Sequence, residues 1–529
     1  MSYLPWAAGK KLTQQNIVLF GPPGVGKTAV GRLLAETLNR PFVDTDARIE
    51  ALRGKTIEAI FEDEGESAFR TLERQLALTL AAGAGSVIAC GGGTLLDPDV
   101  RQAIEASSSV VFLECDLDGL SARIDGENHR PLLAAEKKER LRSLLAERAT
   151  AYDSFPARVD TTGRDLTEVV TAVRRAVEAA PARSWEVKQP PRGYTVKIGA
   201  ALLATLAEEL AKRQIGPPFV VITDNHVGSL YAKQDSRLID APVITFPAGE
   251  ASKTLAMVEQ LGDQCLEHGL DRSGTLVSLG GGVVGDLAGF VAAVYMRGVR
   301  WVALPTTLLA MIDASVGGKV GVDLRGGKNL IGAFHPPDLV LADTELLGSL
   351  PDGEMRAGMA ELIKAALVGD SLLFEWLETD GSHLTVRWLE RALAVKVSIV
   401  ERDPHERGQR AALNLGHTVG HALERATGFG MRHGDAVAVG LAAEARMAER
   451  IGLAEAGLAG RIEKVLSLVG LPTHIEGVPV SEVVVAMNAD KKRIRGETHF
   501  ALPVRPGLVR TGCLVPEALI ADVLQEVVE

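Results

Sequence analysis

Eight residues constrain the fold of this chain more than any others. Residues 21–28 read GPPGVGKT, directly after the apolar run IVLF at 17–20 and directly before a helical pattern at 29–38. A strand, a glycine-rich turn and a helix in that order satisfy G-x-x-x-x-G-K-[ST] in the context that gives the motif meaning. Gly21, Gly24 and Gly26 let backbone N–H groups close around phosphates. Lys27 can reach the β- and γ-phosphates, Thr28 can hold Mg²⁺, and the following helix presents its positive end. The motif therefore points to a nucleotide and leaves the acceptor open. Apolar runs at 87–90 and 110–113 recur between helical stretches up to about residue 175, the rhythm of a parallel sheet with crossover helices. The dense mixed charges at 134–149 read as the solvated face of a helix.

One such unit does not account for 529 residues. At ~150 residues per domain the length suggests about three domains. The segment 179–193 (AAPARSWEVKQPPRG) breaks periodicity with Pro181, Pro190, Pro191 and Gly193, and reads as an interdomain linker. A second α/β pattern begins at Tyr194, with strands expected at 219–223, 275–279 and 339–342, and from Pro351 the periodicity turns mostly helical. Net charge is −11 and aromatics make up 4%, a poor composition for phosphate-backbone binding or base stacking, so no nucleic-acid partner is expected. The four cysteines are scattered without a C-x-x-C pair, and no apolar stretch approaches a membrane span. A cytoplasmic protein without disulfides or membrane contact is the expectation.

The acceptor signal in the first half comes from Asp44-Thr45-Asp46, Phe69-Arg70, Gly91-Gly92-Gly93, Arg130-Pro131-Leu132-Leu133 and Arg148. Two carboxylates, a glycine turn and several arginines suit a small polyhydroxy acid, with arginines for its carboxylate and Asp for its hydroxyls. In this order, residues 17–160 resemble shikimate kinase. The resemblance implies Mg²⁺ supported by Thr28 and Asp44. It implies shikimate held by Asp46, Arg70, Gly92 and Arg148, with Asp46 at the attacking hydroxyl. Arg130 becomes a lid residue reaching the ATP phosphates, and Lys27 and Arg130 join Asp46 as catalytic groups. After Glu147-Arg148 the chain continues ATAY, a departure from the family pattern that bears on Arg148.

The second half carries GGGVVGD at 280–286, after a strand and opening a helix. Gly280, Gly282 and Gly285 satisfy G-x-G-x-x-G, but the acidic residue expected about 20 positions on is missing, because position 305 is Pro. Backbone amides at a helix N-terminus still suit a pyrophosphate. Asp313, Lys319, Lys328 and Asn329 fall in stretches read as glycine-rich loops, and several lysines near one glycine turn suggest an anion site. His417 and His421 are spaced i, i+4 on one helix face, His433 follows in RHGD, and Glu361 lies in the helical MAELIK. Two histidines and a carboxylate fit a zinc site with an open position. Spacing alone would make His417 and His421 both ligands, unless one is a satisfied core histidine.

Residues 194–529 resemble 3-dehydroquinate synthase, through PAGEASKT, GGGVVGDLAGF, MRG, PTTLLAMIDASVGGK, GGKNLIGAFHPP, MAELIK, ERDPHERGQR, LNLGHTVGHA and RHGD in family order. The resemblance implies NAD⁺ held around Glu250, Lys253, Gly282, Gly285, Asp286, Thr306 and Thr307, with Lys319 and Lys328 near it. It implies Zn²⁺, with Co²⁺ as an alternative, bound by Glu361, His417 and His433, and makes His421 an acid/base or substrate group. The anionic substrate would meet Arg297, Lys319, Lys328, Asn329, Lys364, Lys396, Arg410, Asn414 and one lysine of the Asp490-Lys491-Lys492 run, with Lys491 as the first choice. Asp313 and Glu406 complete the catalytic set with Lys319, Lys364, Lys396 and His421.

The fold class expected is thus α/β. A P-loop kinase with a parallel sheet (1–178) and a linker (179–193) precede a synthase. The synthase comprises a Rossmann-like α/β domain (194–350) and a mostly helical metal-binding domain (351–529). The implied reactions are ATP-dependent phosphorylation of shikimate, and conversion of 3-deoxy-D-arabino-heptulosonate 7-phosphate to 3-dehydroquinate and phosphate with NAD⁺ regenerated each turnover. A homodimer through the second half is also implied. Three other readings stay open on the residues. The second half could be a metal-dependent alcohol dehydrogenase or another sugar-phosphate cyclase, and the first a non-catalytic nucleotide-binding module.

Overall fold

The computed structural model describes residues 16–528, apart from 39, 84, 125–130, 156, 179–181, 233–237, 325, 381–383 and 489–497. The chain divides into two compact units, Thr13–Pro181 and Ala182–Glu529. Arg130, Lys491 and Lys492 lie outside the described residues.

The first unit is built on five parallel strands, β1 (Asn16–Phe20), β2 (Phe42–Asp44), β3 (Val87–Ala89), β4 (Ser108–Glu114) and β5 (Arg158–Asp160), in the order β2-β3-β1-β4-β5. β1 is central and wholly buried. It reads as a continuous apolar run because helices cover both faces of a parallel sheet. Ile17 and Leu19 point into one apolar cluster, and Val18 and Phe20 into the other. The expected helix at 29–38 is Lys27–Leu38, and the charged stretch at 134–149 lies within the helix Pro131–Asp153.

The second unit has a seven-stranded sheet. Its strands are β6 (Arg183–Val187), β7 (Tyr194–Gly199), β8 (Phe219–Asp224), β9 (Val243–Phe246), β10 (Thr275–Gly280), β11 (Arg300–Pro305) and, after a separate hairpin, β14 (Leu339–Asp343). The order is β6-β7-β14-β11-β10-β8-β9, parallel throughout except at β6. β6 corrects the reading of 179–193 as a linker: Arg183–Val187 pairs antiparallel with β7, from Arg183↔Ile198 to Val187↔Tyr194. Its alternation of the exposed Ser184 and Glu186 with Trp185 and Val187 fits an edge strand with one covered face. The hairpin corrects a second expectation. Lys319, Lys328 and Asn329 stand on two antiparallel strands, β12 (Lys319–Leu324) and β13 (Gly327–Phe334), and not in loops. From Asp352 on, the regular elements among the described residues are helices, except for the hairpin β15 (Phe500–Arg505) and β16 (Leu508–Cys513). Among the described residues, no helix is long and apolar enough to cross a membrane.

Candidate active sites

In the first unit the glycine turn after β1 is as tight as the sequence implies. Gly21, Gly24 and Gly26 have φ of +152°, +78° and +96°. A Cβ on Gly21 would sit 2.3 Å from the Leu113 carbonyl oxygen, so only glycine fits between β1 and β4 there. Lys27 Nζ donates to the carbonyls of Gly21 (2.9 Å) and Pro22 (3.0 Å) across the turn. Thr28 Oγ1 donates to Asp44 Oδ2 at 2.7 Å, while Asp44 Oδ1 caps the helix Thr45–Arg53 by accepting from the Asp46 and Ala47 amides. Asp44 therefore fixes both Thr28 and the start of the helix that carries Asp46.

Glycines 91–93 gather the remaining groups. A Cβ on Gly91 would fall 2.7 Å from Glu73 Oε1 and 2.9 Å from Asp46 Oδ1, and one on Gly93 would fall 2.7 Å from Arg70 Nη1. The Gly92 carbonyl accepts from Arg148 Nη1 (2.8 Å) and from the Tyr152 hydroxyl (3.0 Å). The ATAY departure thus brings Tyr152 in beside Arg148. Asp46 Oδ1 is buried without a hydrogen-bond partner. Burial, with the charges of Asp44 and Glu73, raises its carboxyl above the ordinary range. Glu73 is the residue the sequence did not single out. It is buried, accepts from Thr94 Oγ1 at 2.6 Å, and pairs with Arg70 Nη1 at 2.8 Å. The Arg70–Glu73 spacing of i, i+3 was its only local signal.

In the second unit a cavity of about 880 Å³ is lined from both the sheet and the helices. The sheet contributes the loops at the C-terminal ends of β8, β10 and β11, where open α/β sheets bind ligands. Gly282 opens the helix Gly282–Val294, with Asp286 one turn on, and Thr306 and Thr307 follow β11. Lys253 Nζ contacts Asp286 Oδ2 at 2.7 Å and Asn329 Oδ1 at 2.5 Å, with Glu250 at 3.8 Å. Lys319 pairs with Glu406, which also accepts from Asn414 Nδ2 at 3.3 Å. Asp313 lies between Lys396 (2.5 Å) and Lys364 (3.7 Å). Burial, with Lys364 and Arg410 nearby, outweighs the Asp313 contact and brings the Lys396 ammonium down to about 8. Two expected residues stand apart. Arg297 is exposed and does not line this cavity, and Gly285 faces a small adjoining cleft instead.

The helical side supplies the candidate metal ligands. Glu361 (helix Asp352–Gly369), His417 (helix His417–Ala426) and His433 (helix His433–Arg450) bring their ligand atoms within 4.8 Å of one another. Both Glu361 oxygens are buried without a well-directed hydrogen bond. Lys364 pairs with Oε2, and the Nε2 atoms of His417 and His433 each lie 3.4 Å from Oε1. Burial alone would raise the Glu361 carboxyl, but Lys364 and His433 hold it down near 2, so it is an anion. His417 Nδ1 faces the Leu415 carbonyl at 3.0 Å, and His433 Nδ1 faces Glu424 Oε2 at 3.5 Å. With a cation in place, those partners would hold the tautomer that turns each Nε2 lone pair towards it. The donor set and the orphaned carboxylate fit a divalent ion with nitrogen and oxygen ligands.

His421, Glu424 and His433 form a second ligand-sized group. That group shares His433 with the first, and both Glu424 oxygens are already engaged, Oε1 by Lys328 Nζ at 3.0 Å and Oε2 by His433 Nδ1 at 3.5 Å. His421 thus lies next to the ligand group that contains Glu361. Its ring centroid is 5.1 Å from that of His417. This separates the two histidines that spacing alone made equivalent.

Fold and sites together define a P-loop phosphotransferase unit followed by a sugar-phosphate cyclase unit. Family models match in that order. Shikimate kinase matches residues 23–178, the 3-dehydroquinate synthase N-terminal model 243–357 and the 3-dehydroquinate synthase C-terminal model 358–493. The 3-dehydroquinate synthase of Symbiobacterium thermophilum is 44% identical over 343 residues, covering 62% of this chain and 96% of the relative. A solved 2-deoxy-scyllo-inosose synthase, complexed with carbaglucose-6-phosphate, NAD⁺ and Co²⁺, aligns at 27% identity and TM-score 0.59, covering 65% of this chain and all of that one. The 2-epi-5-epi-valiolone synthase ValA of Streptomyces hygroscopicus, with NAD⁺ and Zn²⁺ bound, aligns at 29% identity and TM-score 0.58, covering 65% and 99%. The chain belongs to the 3-dehydroquinate synthase family and carries a shikimate kinase unit ahead of the synthase, so two activities of aromatic biosynthesis share one polypeptide.

Proposed function

We propose that the two activities run at the two sites described, with the residues in the following roles. In the kinase unit Lys27, Thr28 and the glycine turn hold Mg·ATP, and Asp44 supports the Mg²⁺. Asp46 orients the shikimate hydroxyl that receives the phosphoryl group and takes up its proton. Arg70 and Arg148 hold the shikimate carboxylate beside Gly92. The unpartnered, buried Asp46 Oδ1 supports this role, since a substrate hydroxyl would satisfy it. Catalysis is mainly positioning and charge stabilisation.

In the synthase unit, Gly282, Asp286, Lys253, Thr306 and Thr307 line the part of the cavity suited to NAD⁺. Glu361, His417 and His433 hold Zn²⁺ or Co²⁺. When bound, these groups supply reversible hydride transfer and polarisation of the hydroxyl being oxidised. Lys319, Lys328, Asn329, Lys364, Lys396, Arg410 and Asn414 bind and orient the phosphate and carboxylate of the heptulosonate phosphate. His421 holds or releases a proton at a substrate hydroxyl, and Asp313 and Glu406 fix the lysines beside them. The higher identity to curated 3-dehydroquinate synthases than to the other cyclases favours this substrate.

One observation carries the synthase reading: a buried anionic carboxylate, without a directed hydrogen bond, facing two imidazole nitrogens. We place the protein in the cytoplasm, in keeping with four unpaired cysteines, three of them buried. A homodimer through the synthase unit belongs to the same reading, with Leu324 and Phe334 exposed at the ends of β12 and β13. The decisive experiment supplies the purified chain with both substrate sets after strong chelation. Phosphate release from the heptulosonate should stop and return with Zn²⁺, while shikimate phosphorylation persists once excess Mg²⁺ is restored. Loss of both activities, with neither separately restorable, would overturn the two-site assignment.

A further inference from the structure

The peptide of Gly317 is held from three directions, two of them by side chains at and just before the start of β7. Gln189 Nε2 donates to the Gly317 carbonyl at 3.1 Å, and the Gly317 amide donates to the Tyr194 hydroxyl at 2.9 Å. Arg410 Nη2 meets the same carbonyl at 3.3 Å. All three side chains are buried, with relative exposures of 2%, 3% and 1%. The approach is close enough to require glycine: φ is +102°, and a Cβ at 317 would sit 2.3 Å from Arg410 Nη2. Just upstream, the Lys188 amide donates to Glu401 Oε1 at 3.0 Å, tying the same segment to the helix Val386–Arg402 that carries Lys396.

What this peptide supports is functional lining. Gly317 and Gly318 lead directly into Lys319, the first residue of β12. Lys319 and Arg410 both line the cavity. Arg410 has its Nη1 committed to the Pro404 carbonyl at 2.8 Å and its buried Nε unpartnered. Its guanidinium is therefore steered by backbone carbonyls and not by a carboxylate bonded to it. That leaves its positive charge available to an anion. Lose the Gly317 carbonyl position and Arg410 loses one of its two guides.

We propose that Gln189 and Tyr194 are positioning residues for the anion-binding end of the synthase cavity, acting through the Gly317 peptide on Arg410 and Lys319. This rests on the reading above that those two cations meet the anionic groups of the substrate. The stretch from β6 to the start of β7 is then a working part of the synthase, which takes in β6 as well as the residues from Tyr194 on. The ligand class concerned is a phosphorylated polyhydroxy keto acid, with inorganic phosphate as a minimal probe.

The test uses the full chain carrying Gln189→Ala, Tyr194→Phe and, separately, Arg410→Ala. Shikimate phosphorylation by the same molecules and their thermal midpoints report folding. Losing one buried hydrogen bond should raise the KM for the heptulosonate phosphate and the Ki of inorganic phosphate together, by about tenfold. kcat and the KM for NAD⁺ should change less than about twofold. Gln189→Ala should cost clearly less in the Arg410→Ala background than alone, since part of its effect runs through that residue and the remainder through Lys319. Unchanged KM and Ki in both single variants would overturn the proposal, as would equal losses in kcat and NAD⁺ affinity or a fully additive double variant. If Arg410→Ala itself leaves the KM and the phosphate Ki untouched, the underlying reading of the anion site falls first, and the proposal with it.

Discussion

Lys396 gives the synthase a pH limit that can be worked out from its surroundings. Its ammonium is buried, touches Asp313 at 2.5 Å, and has Lys364 and Arg410 close by. Burial and the two like charges disfavour the charged form, Asp313 favours it, and the balance leaves the group titrating near pH 8. The sign is plain. Below pH 8 the group is a cation and attracts an anionic substrate, and above it the attraction is lost. The substrate does not mask this, because a phosphate ester is already dianionic above pH ~6. If only the protonated form binds productively, about nine-tenths of the enzyme is competent at pH 7 and about one-tenth at pH 9. The expected fall in kcat/KM between those values is about tenfold, or about 1.4 kcal/mol. The assay is phosphate release at saturating NAD⁺, since kcat/KM reports the free enzyme. kcat alone should fall less, because a bound dianion holds the proton on. The apparent value belongs to the Lys364–Asp313–Lys396 group as a unit. Lys396→Arg should remove the limb at any activity it retains, because guanidinium does not titrate in this range. A profile flat to pH 9.5, or the same limb in Lys396→Arg, would refute the reasoning. Circular dichroism at each pH checks that the synthase unit stays folded.

Two further outcomes follow from residues absent from the sequence motifs. Glu424→Gln replaces the carboxylate facing His433 Nδ1 and pairing with Lys328; it should weaken Zn²⁺ binding by about 10–100-fold in competition with a chelator. Unchanged metal affinity would mean that the 3.5 Å contact does not orient the ring. Glu73→Gln should raise the KM for shikimate by about tenfold through Arg70, leaving the KM for ATP within about twofold; a matching loss of ATP affinity would show a general structural role instead.

Local chemistry was legible in the sequence, and pairing across distance was not. The glycine turn announced the Lys27 and Thr28 site because strand, turn and helix are contiguous. Asp44 and the glycines at 91–93 were readable as motifs, but that they enclose Glu73 depends on a helix packing beside them. Glu361, His417 and His433 carry ligand chemistry in their side chains, yet only the meeting of three helices separates His421 from them. β6 was obscured by the prolines after it, which break periodicity without preventing an edge strand before them. The hairpin β12–β13 was obscured by its glycines. Gly321 and Gly332 face each other across it so closely that a Cβ on either would strike the opposite backbone, at 2.5 and 2.3 Å.

In the cavity, the carboxylates of Asp286, Glu406, Glu424 and Asp313 accompany Lys253, Lys319, Lys328 and Lys396 respectively, and the buried Glu361 pairs with Lys364 behind the lining. Such a lining is a filter as well as a receptor. A chloride or other small monoanion must part an internal ion pair for a single new contact, and gains little. A ligand with a phosphate and a carboxylate held at a fixed distance can exchange several of these pairs at once, each displaced carboxylate remaining near another cation. A monoanion such as chloride therefore competes poorly at this lining with a ligand that brings a dianionic phosphate and a carboxylate together.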